Sequence, residues 1–515
     1  MPAVLKLSNL PIGDSHQIDH GDYKVLLTNV DGTVYAVESK CSHFGLPLEN
    51  AALNGHRLRC PFHHACFDVR DGSQLEAPGL DGIATFGVQI IDGEIHVSEA
   101  PLSKPAAPGA GDFSHKLDDG HFGYAIVGGG VAAANAVYGI RENDASGSIV
   151  LITSEDLPPY DRTHVSKALL DGGKDISDLP LHSEAFYRER GVTLLEKTTA
   201  EEVDVENKRI TLSAGKTLTY DKVLLATGGS PRKLKVPGSD LGNIFTIRNA
   251  KDGKAAREQV SEGTKVVVVG GSFIGLEAAM SLGKQGGDVT VVSPEEVLFE
   301  GPFGKKVGKY VQQLHEAAGV TFRLGRKSAA FTGDGKVASV TLDNGEELPA
   351  EVVVVGIGVR PVTNYLRGLA GTSDGGLKVD NHLACNVADT WAAGDIACYP
   401  DREGAARIEH WKVAAQQGRV AGRNMAGAGE PYTMLPFFWS NQQGVNFRYA
   451  GHATEYNDIL FDGEPGDGPF LAFYLRDEHV QAVLGVKRDA DVATIAERMR
   501  AGEMPEFDGL LGTEW

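Results

Sequence analysis

The chain is short of cysteine, of positive charge and of long apolar runs. It has 5 cysteines in 515 residues, too few for the disulfide framework of small secreted domains. The formal net charge of −20 argues against nucleic acid and anionic membrane surfaces as partners. No run of about 18 apolar residues is present, and the opening MPAVLKLSNLPIGDSHQ lacks the apolar core of a signal peptide. The composition therefore predicts a cytoplasmic protein with neither a nucleic-acid nor a membrane partner.

Three of the cysteines occur in one segment, CSHFGLPLENAALNGHRLRCPFHHACFD, at residues 41–68. Cys41-x-His43 and Cys60-x-x-His63 form two pairs, each with one thiol and one imidazole. Two cysteines and two histidines also make a structural zinc set, but zinc patterns usually keep cysteines in one pair and histidines in the other. A mixed pair in each arm suits a [2Fe–2S] cluster with two cysteines on one iron and two histidines on the other.

With Pro61 and the Phe67-Asp68 dipeptide, the segment resembles a Rieske iron–sulfur site. The resemblance implies that the metal ligands are Cys41, His43, Cys60 and His63.

His56, His64 and Cys66 are surplus to that ligand set. A surplus histidine more often serves packing or solvation than binding, and Cys66 is expected to be a small buried hydrophobe. His64 stands where such loops usually have glycine. The resemblance also implies a low-potential cluster, because the disulfide and hydroxyl positions of high-potential Rieske domains hold Leu46, Phe62, Ala65 and Phe67.

The sequence pattern changes near residue 104. Residues 1–103 alternate short β-like runs, such as YKVLLTNV and TVYAVES, with Gly, Asp and Asn turns, which predicts an all-β domain. Residues 104–120 are predicted to be a linker and contain KPAAPGAGDFS. From about residue 121 the chain shows strand–helix–strand units, which predict parallel sheets.

The first of these units reads YAIVGGGVAAANAVYGI, residues 124–140. Its Gly128-x-Gly130-x-x-Ala133 follows an apolar strand and begins an alanine-rich helix, the context in which this motif binds a dinucleotide pyrophosphate. The next strand, IVLITSED, ends at Glu155, where a carboxylate would bind a ribose hydroxyl.

A second unit reads KVVVVGGSFIGLEAAMSL, residues 265–282. Gly270-x-Ser272-x-x-Gly275 departs from the motif at its middle position, where serine is the smallest hydroxyl-bearing replacement. In the strand that follows, Ser293 occupies the place of the usual acid, and Glu295 and Glu296 come directly after it. Because no Arg or Lys lies near in sequence to bind a 2′-phosphate, we expect NADH rather than NADPH.

Three further segments carry a family resemblance: VLLATGGSPR (223–232), VVVVGIGVRP (352–361) and WAAGDIACYP (391–400). They resemble the signature segments of FAD- and NAD-dependent reductases built like glutathione reductase. That resemblance implies an NAD domain inserted into an FAD domain, with Asp395 near the ribityl-phosphate region of FAD. The family's redox-active cysteine pair is missing, since LPPYDRTHVSKALL has no cysteine.

LPPYDRTHVSK is similar to the segment that oxygenase-coupled ferredoxin reductases and the apoptosis-inducing-factor family place against FAD. By this resemblance Lys167 pairs with Glu277 beside the flavin, and these two are the predicted catalytic residues. The other cofactor-binding residues that it implies are Arg162, Val203, Ala226, Arg232, Gly358, Glu409, His410, Trp411 and Trp439, with Glu295 at the second nucleotide.

The expected fold class is multidomain: an N-terminal all-β Rieske domain, then an α/β reductase with two dinucleotide-binding domains, then a C-terminal α+β domain. The predicted boundaries are 1–103 for the Rieske domain, 121–250 and 349–428 for the FAD domain, 251–348 for the NAD domain and 429–515 for the C-terminal domain. This is the arrangement of Rieske-bearing, apoptosis-inducing-factor-like reductases.

The resemblance implies an NADH-dependent oxidoreductase with FAD and a [2Fe–2S] cluster. A flavin converts the two-electron input from a hydride into single-electron outputs, and a tethered cluster receives them at high effective concentration. The expected acceptor is an oxygenase or cytochrome partner, with a quinone or dioxygen as further options. Two alternatives stay open: a redox-sensing interaction protein, and a small-molecule flavin reductase with a vestigial cluster. A monomer and a homodimer are both compatible with the sequence.

Overall fold

The computed structural model describes residues 1–79, 81–105, 120–401 and 404–515. They divide into two units. One contains the described residues of Met1–Ala110, Thr433–Trp439 and Phe447–Trp515, and the other those of Gly111–Tyr432 and Ser440–Asn446. Most of the predicted linker, residues 106–119, lies outside the described residues.

The N-terminal segment forms antiparallel strands, as its alternating pattern predicts. They make three sheets in the orders β1-β11-β10, β2-β3-β4-β9 and β5-β6-β7-β8. The bounds are β1 (Ala3–Lys6), β2 (Ser15–His20), β3 (Tyr23–Val30), β4 (Thr33–Glu38), β5 (Ala52–Asn54), β6 (Arg57–Arg59), β7 (Cys66–Asp68), β8 (Gln74–Glu76), β9 (Thr85–Phe86), β10 (Val88–Ile91) and β11 (Glu94–Val97). Leu26, Leu58 and Phe67 are fully buried in the apolar cluster that also contains Cys41 and Cys60.

The second unit begins with a mainly parallel sheet in the order β14-β13-β12-β17-β16-β15-β28, with β30 paired to β17. Its first part comprises β12 (His121–Val127), α1 (Val131–Asn143), β13 (Ile149–Ile152), α2 (Glu184–Glu189), β14 (Val192–Leu195), β15 (Ala200–Asp204), β16 (Arg209–Leu212), β17 (Thr217–Leu225) and β18 (Gly229–Pro231). All four residues of IVLI in β13 are buried, as expected for a strand covered on both faces.

A second parallel sheet, in the order β19-β26-β20-β21-β22, is inserted in the chain before the first sheet is completed. Its segment comprises β19 (Ile244–Phe245), α3 (Ala250–Arg257), β20 (Lys265–Val269), α4 (Phe273–Lys284), β21 (Asp288–Ser293), α5 (Glu300–Ala317), β22 (Thr321–Leu324), β23 (Ser328–Thr332), β24 (Ser339–Leu342), β25 (Glu347–Pro349), β26 (Val352–Val355) and β27 (Val359–Pro361). The inserted sheet thus extends a few residues beyond the predicted 251–348 on both sides.

The chain then returns to the first sheet with β28 (Leu366–Arg367) and β30 (Thr390–Ala392). A separate three-stranded sheet contains β29 (Leu377–Lys378), β31 (Ala397–Asp401) and β32 (Gly404–Ala406), and helix α6 (Trp411–Met425) follows. Helices α1 and α6 pack without room for side chains where they cross. A Cβ atom on Gly418 would lie 2.1 Å from the backbone oxygen of Ala132. Glycine is therefore required there for the close approach of the two helices.

The C-terminal segment forms an antiparallel sheet in the order β33-β34-β37-β36-β35, followed by a helix. The elements are β33 (Phe437–Gln442), β34 (Val445–Gly451), β35 (Asp458–Asp462), β36 (Phe470–Arg476), β37 (His479–Val486) and α7 (Asp489–Ala501). Phe473, Val483, Val492 and Ile495 lie in its apolar core, so the sheet and α7 bury one shared face. The predicted α+β character is confirmed.

Short 3₁₀ turns complete the described secondary structure, at Leu7–Asn9, Arg162–His164, Ile176–Asp178, Ser213–Gly215 and Phe507–Gly509. None of the described helices is long and apolar enough to cross a bilayer.

Candidate functional site

Two loops of the first unit, beginning at Cys41 and Cys60, have the same backbone hydrogen bonds. The N–H of Cys41 donates to the oxygen of Leu46 at 2.8 Å, and the N–H of Cys60 donates to that of Ala65 at 2.8 Å. In each loop the residue four positions after the cysteine donates back to the cysteine carbonyl. That residue has positive φ in both loops, 68° at Gly45 and 59° at His64.

The four predicted ligand side chains come together and sort by type. The two cysteine thiols are buried, with 3% and 1% exposure, and they share a hydrogen bond. The imidazole rings of His43 and His63 meet edge to face with centroids 4.9 Å apart. This arrangement fits a cluster with one iron on the thiolate side and one on the imidazole side.

For Cys60 and His63 the surroundings favour the form that binds metal, whereas the hydrogen bond to Cys60 and burial raise the pKa of the Cys41 thiol. The hydrogen bond from Cys41 lowers the pKa of the Cys60 thiol, and the backbone N–H groups of Phe62 and His63 lower it further. Burial, reinforced by His43 and then by Arg448, lowers the pKa of His63 to about 3. A thiolate and a neutral imidazole are the ligand forms that an iron–sulfur cluster requires.

His64, one of the surplus residues, has a packing role. Its buried ring stacks on Phe437 with centroids 3.7 Å apart, and its carbonyl accepts a hydrogen bond from Arg59 Nη1 at 3.2 Å. The left-handed backbone explains why glycine is usual at this position, and the stacking offers a reason for histidine. The sequence could not show this contact, since Phe437 lies in the C-terminal segment.

Cys66, another surplus residue, faces a buried ion-pair network. Its sulfur lies 4.0 Å from Oε1 of Glu497, and Glu76 lies within ligand-sharing distance of both. Burial raises the pKa of the Cys66 thiol to about 12, and Arg59 pairs with both carboxylates. A neutral thiol and two carboxylates paired with an arginine make a poor metal site. Cys66 is fully buried, as expected, but its neighbours are charged rather than apolar.

The ligand assignment predicts stoichiometric iron and sulfide in the purified protein and a rhombic EPR signal after reduction. Replacing Cys60 by serine removes a thiolate from one iron, so we expect loss or a marked change of that signal. Cys398→Ser is the matched control, since Cys398 lies outside the ligand loops. Zinc in place of iron, or an EPR signal unchanged by Cys60→Ser, would contradict the assignment.

In the second unit, two adjoining cavities of about 230 and 460 Å³ form a cleft at the first dinucleotide motif. Gly130, Arg162, Ala226, Gly228 and Arg248 line both. A Cβ on Gly128 would lie 2.1 Å from the backbone oxygen of Ala226, whereas one on Gly130 would meet nothing within 4 Å. The motif thus brings β12 against β17 and leaves open space at the N-terminus of α1, the place where a pyrophosphate binds.

The carboxylate of Glu155 lies at the far end of this cleft, after β13. It accepts a hydrogen bond from the Tyr160 hydroxyl at 2.7 Å and pairs with the guanidinium of Arg162. Arg162 also donates to the Tyr160 oxygen at 2.7 Å. A fixed carboxylate at this strand end fits a ribose hydroxyl, and the donor set of the cleft fits FAD.

Lys167 and Glu277 form the ion pair that the sequence predicts. Lys167 Nζ lies 2.8 Å from Glu277 Oε2, and both side chains line the 230 Å³ cavity. The Ser166 hydroxyl donates to the same carboxylate at 2.7 Å, and the Ser440 hydroxyl donates to its other oxygen at 3.1 Å. These hydroxyls, which sequence reasoning missed, hold the Glu277 carboxylate in one orientation.

Asp395, Glu409 and Trp411 line the same cavity, as the resemblance implies for flavin-contacting residues. Arg248 Nη2 lies 3.2 Å from Asp395 Oδ2. Arg248 was not singled out from the sequence, because nothing in TIRNA resembles a nucleotide motif.

Several predicted residues do not line either cavity. Val203 is fully buried in β15, and Ala133 is buried on α1 beneath the motif. Arg232 donates from its backbone N–H to the oxygen of Gly358 at 2.9 Å, so these two predicted residues adjoin. His410 is the residue preceding α6, and Trp439 lies beside the ligand imidazoles, with its ring 4.7 Å from that of His63. Their roles toward cofactors remain predictions.

At the second dinucleotide motif, the Ser272 hydroxyl makes two hydrogen bonds that a glycine could not make. Its hydroxyl caps α4 by accepting from the N–H of Gly275 at 3.2 Å and donates to the oxygen of Gly356 at 2.7 Å. The Ser293 hydroxyl donates to the carboxylate of Glu295. Glu295 therefore lies at the end of β21, where a carboxylate binds the adenine-side ribose.

The structure places one basic residue near this second site that the sequence did not indicate. The sequence shows no Arg or Lys near Ser293, yet the backbone N–H of Arg326 donates to the Ser293 oxygen at 3.0 Å. Arg326 follows β22, the strand paired in parallel with β21, and its side chain is exposed. The sequence around Ser293 does not indicate Arg326, because neighbouring strands of a parallel sheet are far apart along the chain.

Comparison with known proteins identifies the architecture. Profiles of three families match: pyridine nucleotide-disulphide oxidoreductase over residues 122–418, Rieske [2Fe-2S] domain over residues 1–87 and reductase C-terminal over residues 437–511. The first match covers more than half of the chain. The chain belongs to the pyridine nucleotide-disulphide oxidoreductase family. This oxidoreductase uses FAD and NAD(P)H, and its Rieske domain holds a [2Fe–2S] cluster.

Proteins similar to this oxidoreductase have names that agree with this family assignment. It is 32% identical to human apoptosis-inducing factor 3 over 517 residues, which covers 97% of this chain and 84% of that protein. It is 34% identical over 392 residues to the ferredoxin–NAD(+) reductase component of the anthranilate 1,2-dioxygenase system of Burkholderia cepacia, covering 74% and 95% of the two chains. A solved covalent putidaredoxin reductase–putidaredoxin complex matches with a TM-score of 0.71 and 28% identity, over 77% and 96% of the chains.

We predict a higher kcat/KM for NADH than for NADPH, because a carboxylate at Glu295 would accept a ribose 2′-hydroxyl and repel a 2′-phosphate. Glu295→Gln should lower kcat/KM for NADH roughly tenfold, the effect of losing about 1.4 kcal/mol of charged hydrogen bonding. Arg326→Ala is the opposing control, since its loss should harm only NADPH. Equal use of both nucleotides by the unaltered chain would show that Arg326 outweighs Glu295.

Proposed function

We propose that this oxidoreductase passes electrons from NADH through FAD to its own [2Fe–2S] cluster and from there to a protein acceptor. NADH supplies a hydride to the flavin, and the cluster accepts electrons singly. The acceptor chemistry that fits is a one-electron redox protein, such as an oxygenase component or a cytochrome. The named relatives from oxygenase systems support an acceptor of this kind.

The intact cluster site carries this proposal. Both thiols, both imidazoles and the backbone donors to the sulfurs are present in one described unit. The complete set of four ligand side chains weighs against a vestigial cluster. The exposed Phe44 ring stacks on the ligand His43 with centroids 3.7 Å apart, so the imidazole side of the site lies near solvent, where a partner has access.

The residues of the flavin cleft position the bound cofactor and do not themselves react. The Lys167–Glu277 pair places a fixed cation inside the cavity, where it favours negative charge on a bound ring system. Arg162 and Arg248 add cations at the junction of the two cavities, where a pyrophosphate requires them. The half-buried Trp411 covers one wall and limits water access.

His63→Ala tests the proposal, because it removes a cluster ligand and leaves the reductase unit unaltered. We expect anaerobic stopped-flow reduction of the flavin by NADH to proceed at an unchanged rate, while reduction of cytochrome c falls at least tenfold. His56→Ala is the matched control, since His56 lies in the same segment, contacts Tyr35 and binds no iron. If His63→Ala reduces cytochrome c as fast as His56→Ala does, electrons leave from the flavin and the relay is wrong.

A point substitution is a sharper test than deletion of the β domain. Glu497 of α7 is 1% exposed and pairs with Arg57 and Arg59 of β6. Deleting residues 1–113 would remove both arginines and leave a buried carboxylate without those partners. The C-terminal domain would then be destabilised as well, so lost activity would not isolate the role of the cluster.

A further inference from the structure

The C-terminal sheet presents a buried cation to the cluster site. Strands β33 and β34 are neighbours, and their register is given by two contacts. The N–H of Gly451 donates to the oxygen of Pro436 at 2.9 Å, and the rings of Phe438 and Tyr449 lie 5.1 Å apart. In an antiparallel pair with this register, the residue opposite Trp439 is Arg448.

Directly opposed residues of two antiparallel strands project to the same face of the sheet. Trp439 identifies that face, since its ring meets His63 at 4.7 Å and His43 at 6.4 Å between centroids. Arg448 therefore lies on the face that packs against the two ligand loops. Both strands and both loops belong to the same unit at these residues.

The guanidinium of Arg448 is buried, and its positive charge is only partly balanced by a neighbouring carboxylate. Arg448 is 3% exposed, and its Nε lies 3.4 Å from Oδ1 of Asp489, at the start of α7. Neither Nε nor Nη1 makes a well-directed hydrogen bond to a residue within the described part of the chain. Burying a charge with so little pairing is costly, which indicates a purpose beyond packing.

The field of this cation reaches the ligands. Arg448 lies opposite Trp439 on one face of the sheet, and the Trp439 ring contacts both ligand imidazoles, so the cation and the ligand set share this buried face. A positive charge this close acts on any charge that the ligand set carries.

Reduction of the cluster changes the total charge of the cluster and its ligands. A [2Fe–2S] cluster with two thiolates and two neutral imidazoles gains one negative charge when it accepts one electron. No bond forms or breaks in the protein, and the electron comes from the reductase. A buried neighbouring cation stabilises the more negative state, and the low-dielectric surroundings strengthen the effect.

We propose that Arg448 stabilises the reduced cluster and raises its reduction potential above the low value expected from the absent hydroxyl groups. The C-terminal domain thus tunes the cluster that the N-terminal domain binds. The proposal requires a bound cluster but not the electron path proposed above, because a cluster has a potential whichever donor reduces it.

EPR-monitored redox titration of the full-length holoprotein tests this directly, and two variants of one ion pair are predicted to act in opposite directions. Arg448→Met removes the cation and should lower the ratio of reduced to oxidised cluster at fixed potential roughly tenfold, a shift of about 59 mV for one electron. Asp489→Asn leaves the cation uncompensated and should shift the midpoint upward. Arg448→Lys should restore most of the original value.

Arg488→Met is the control, because Arg488 pairs with Asp462 and Asp491 in the same domain and is half-exposed. It should leave the midpoint unchanged. A merely structural ion pair would make Arg448→Met and Asp489→Asn shift the same way or not at all, and either result overturns the proposal. Iron and sulfide analysis shows which variants keep the cluster; if Arg448→Met loses it, the sign of the Asp489→Asn shift decides.

Discussion

Replacing Glu497 by alanine should destabilise the unit that holds the cluster by about 3–5 kcal/mol, the usual effect of breaking a buried ion pair on one side. Glu497 accepts from Arg59 Nε at 2.7 Å and from Arg500 Nε at 2.7 Å, and it is 1% exposed. Without it, Arg57 and Arg59 share Glu76 alone. Urea unfolding followed by visible circular dichroism of the cluster should show a midpoint lower by roughly 1–2 M.

Glu503→Ala is the matched control for this experiment. Glu503 is exposed just after the same helix, and its carboxylate accepts a hydrogen bond from the half-buried Asn54 at 3.2 Å. We expect a change within about 0.5 kcal/mol. Equal effects of the two alanine variants would show that the buried network contributes nothing net to stability.

The same network makes the stability of this unit depend on pH. Burial opposes the charge of Glu497, but Arg59 and Arg57 outweigh it, so the pKa of Glu497 lies below its usual value. A lowered folded-state pKa means that the contribution is complete above the unfolded value of about 4.3. It is lost as the pH falls through the folded-state value. Glu497→Gln should remove this part of the acid dependence.

Gly418→Ala should release FAD. The added Cβ would lie 2.1 Å from the oxygen of Ala132 and 2.7 Å from its carbonyl carbon, and backbone atoms in a helix cannot move aside alone. Helices α1 and α6 must therefore separate, and both carry residues of the flavin cleft, Val131 and Ala132 on one and Trp411 and Ala414 on the other. If the whole strain of overpacking, about 1–3 kcal/mol, acts on binding, FAD affinity falls roughly fivefold to 150-fold.

Flavin content after gel filtration and the Kd from fluorescence titration measure this effect. Gly301→Ala is the control, because a Cβ at Gly301 meets nothing within 4 Å and its backbone φ is not left-handed. The control should retain FAD fully. Full flavin retention in Gly418→Ala would mean that the helix crossing does not shape the cleft.

Local motifs account for what could be predicted from the sequence. The metal ligands come from two short loops, so their spacing is visible in residues 41–68. Gly128 and Gly130 of the first motif, and Ser272 of the second, each lie in the turn of a strand–turn–helix unit, as the motif spacing predicts. The Lys167–Glu277 pair spans distant segments and was predictable only through the family resemblance.

Contacts between distant segments account for what could not be predicted. In the sequence, Glu497 is an ordinary charged residue of a C-terminal helix. Only the structure shows that it pairs with Arg59 of β6. The pairing of β34 with β33 determines the face of the sheet on which Arg448 lies. The sequence pattern of a strand does not show which other segment packs against that face. His64 and Phe437 are hundreds of residues apart in the chain, and nothing in either segment indicates that the two rings stack. Arg326 lies near Ser293 because it follows β22, the parallel neighbour of β21.

Rapid-freeze EPR after mixing the oxidised holoprotein anaerobically with one equivalent of NADH shows whether electrons pass from the flavin to the cluster. We expect flavin absorbance to bleach first and the rhombic cluster signal then to rise within the same turnover, without added mediator. His63→Ala should show the bleaching alone. A flavin that is reduced while the cluster stays oxidised through many turnovers would contradict the relay, and the Rieske domain would then have no part in electron transfer.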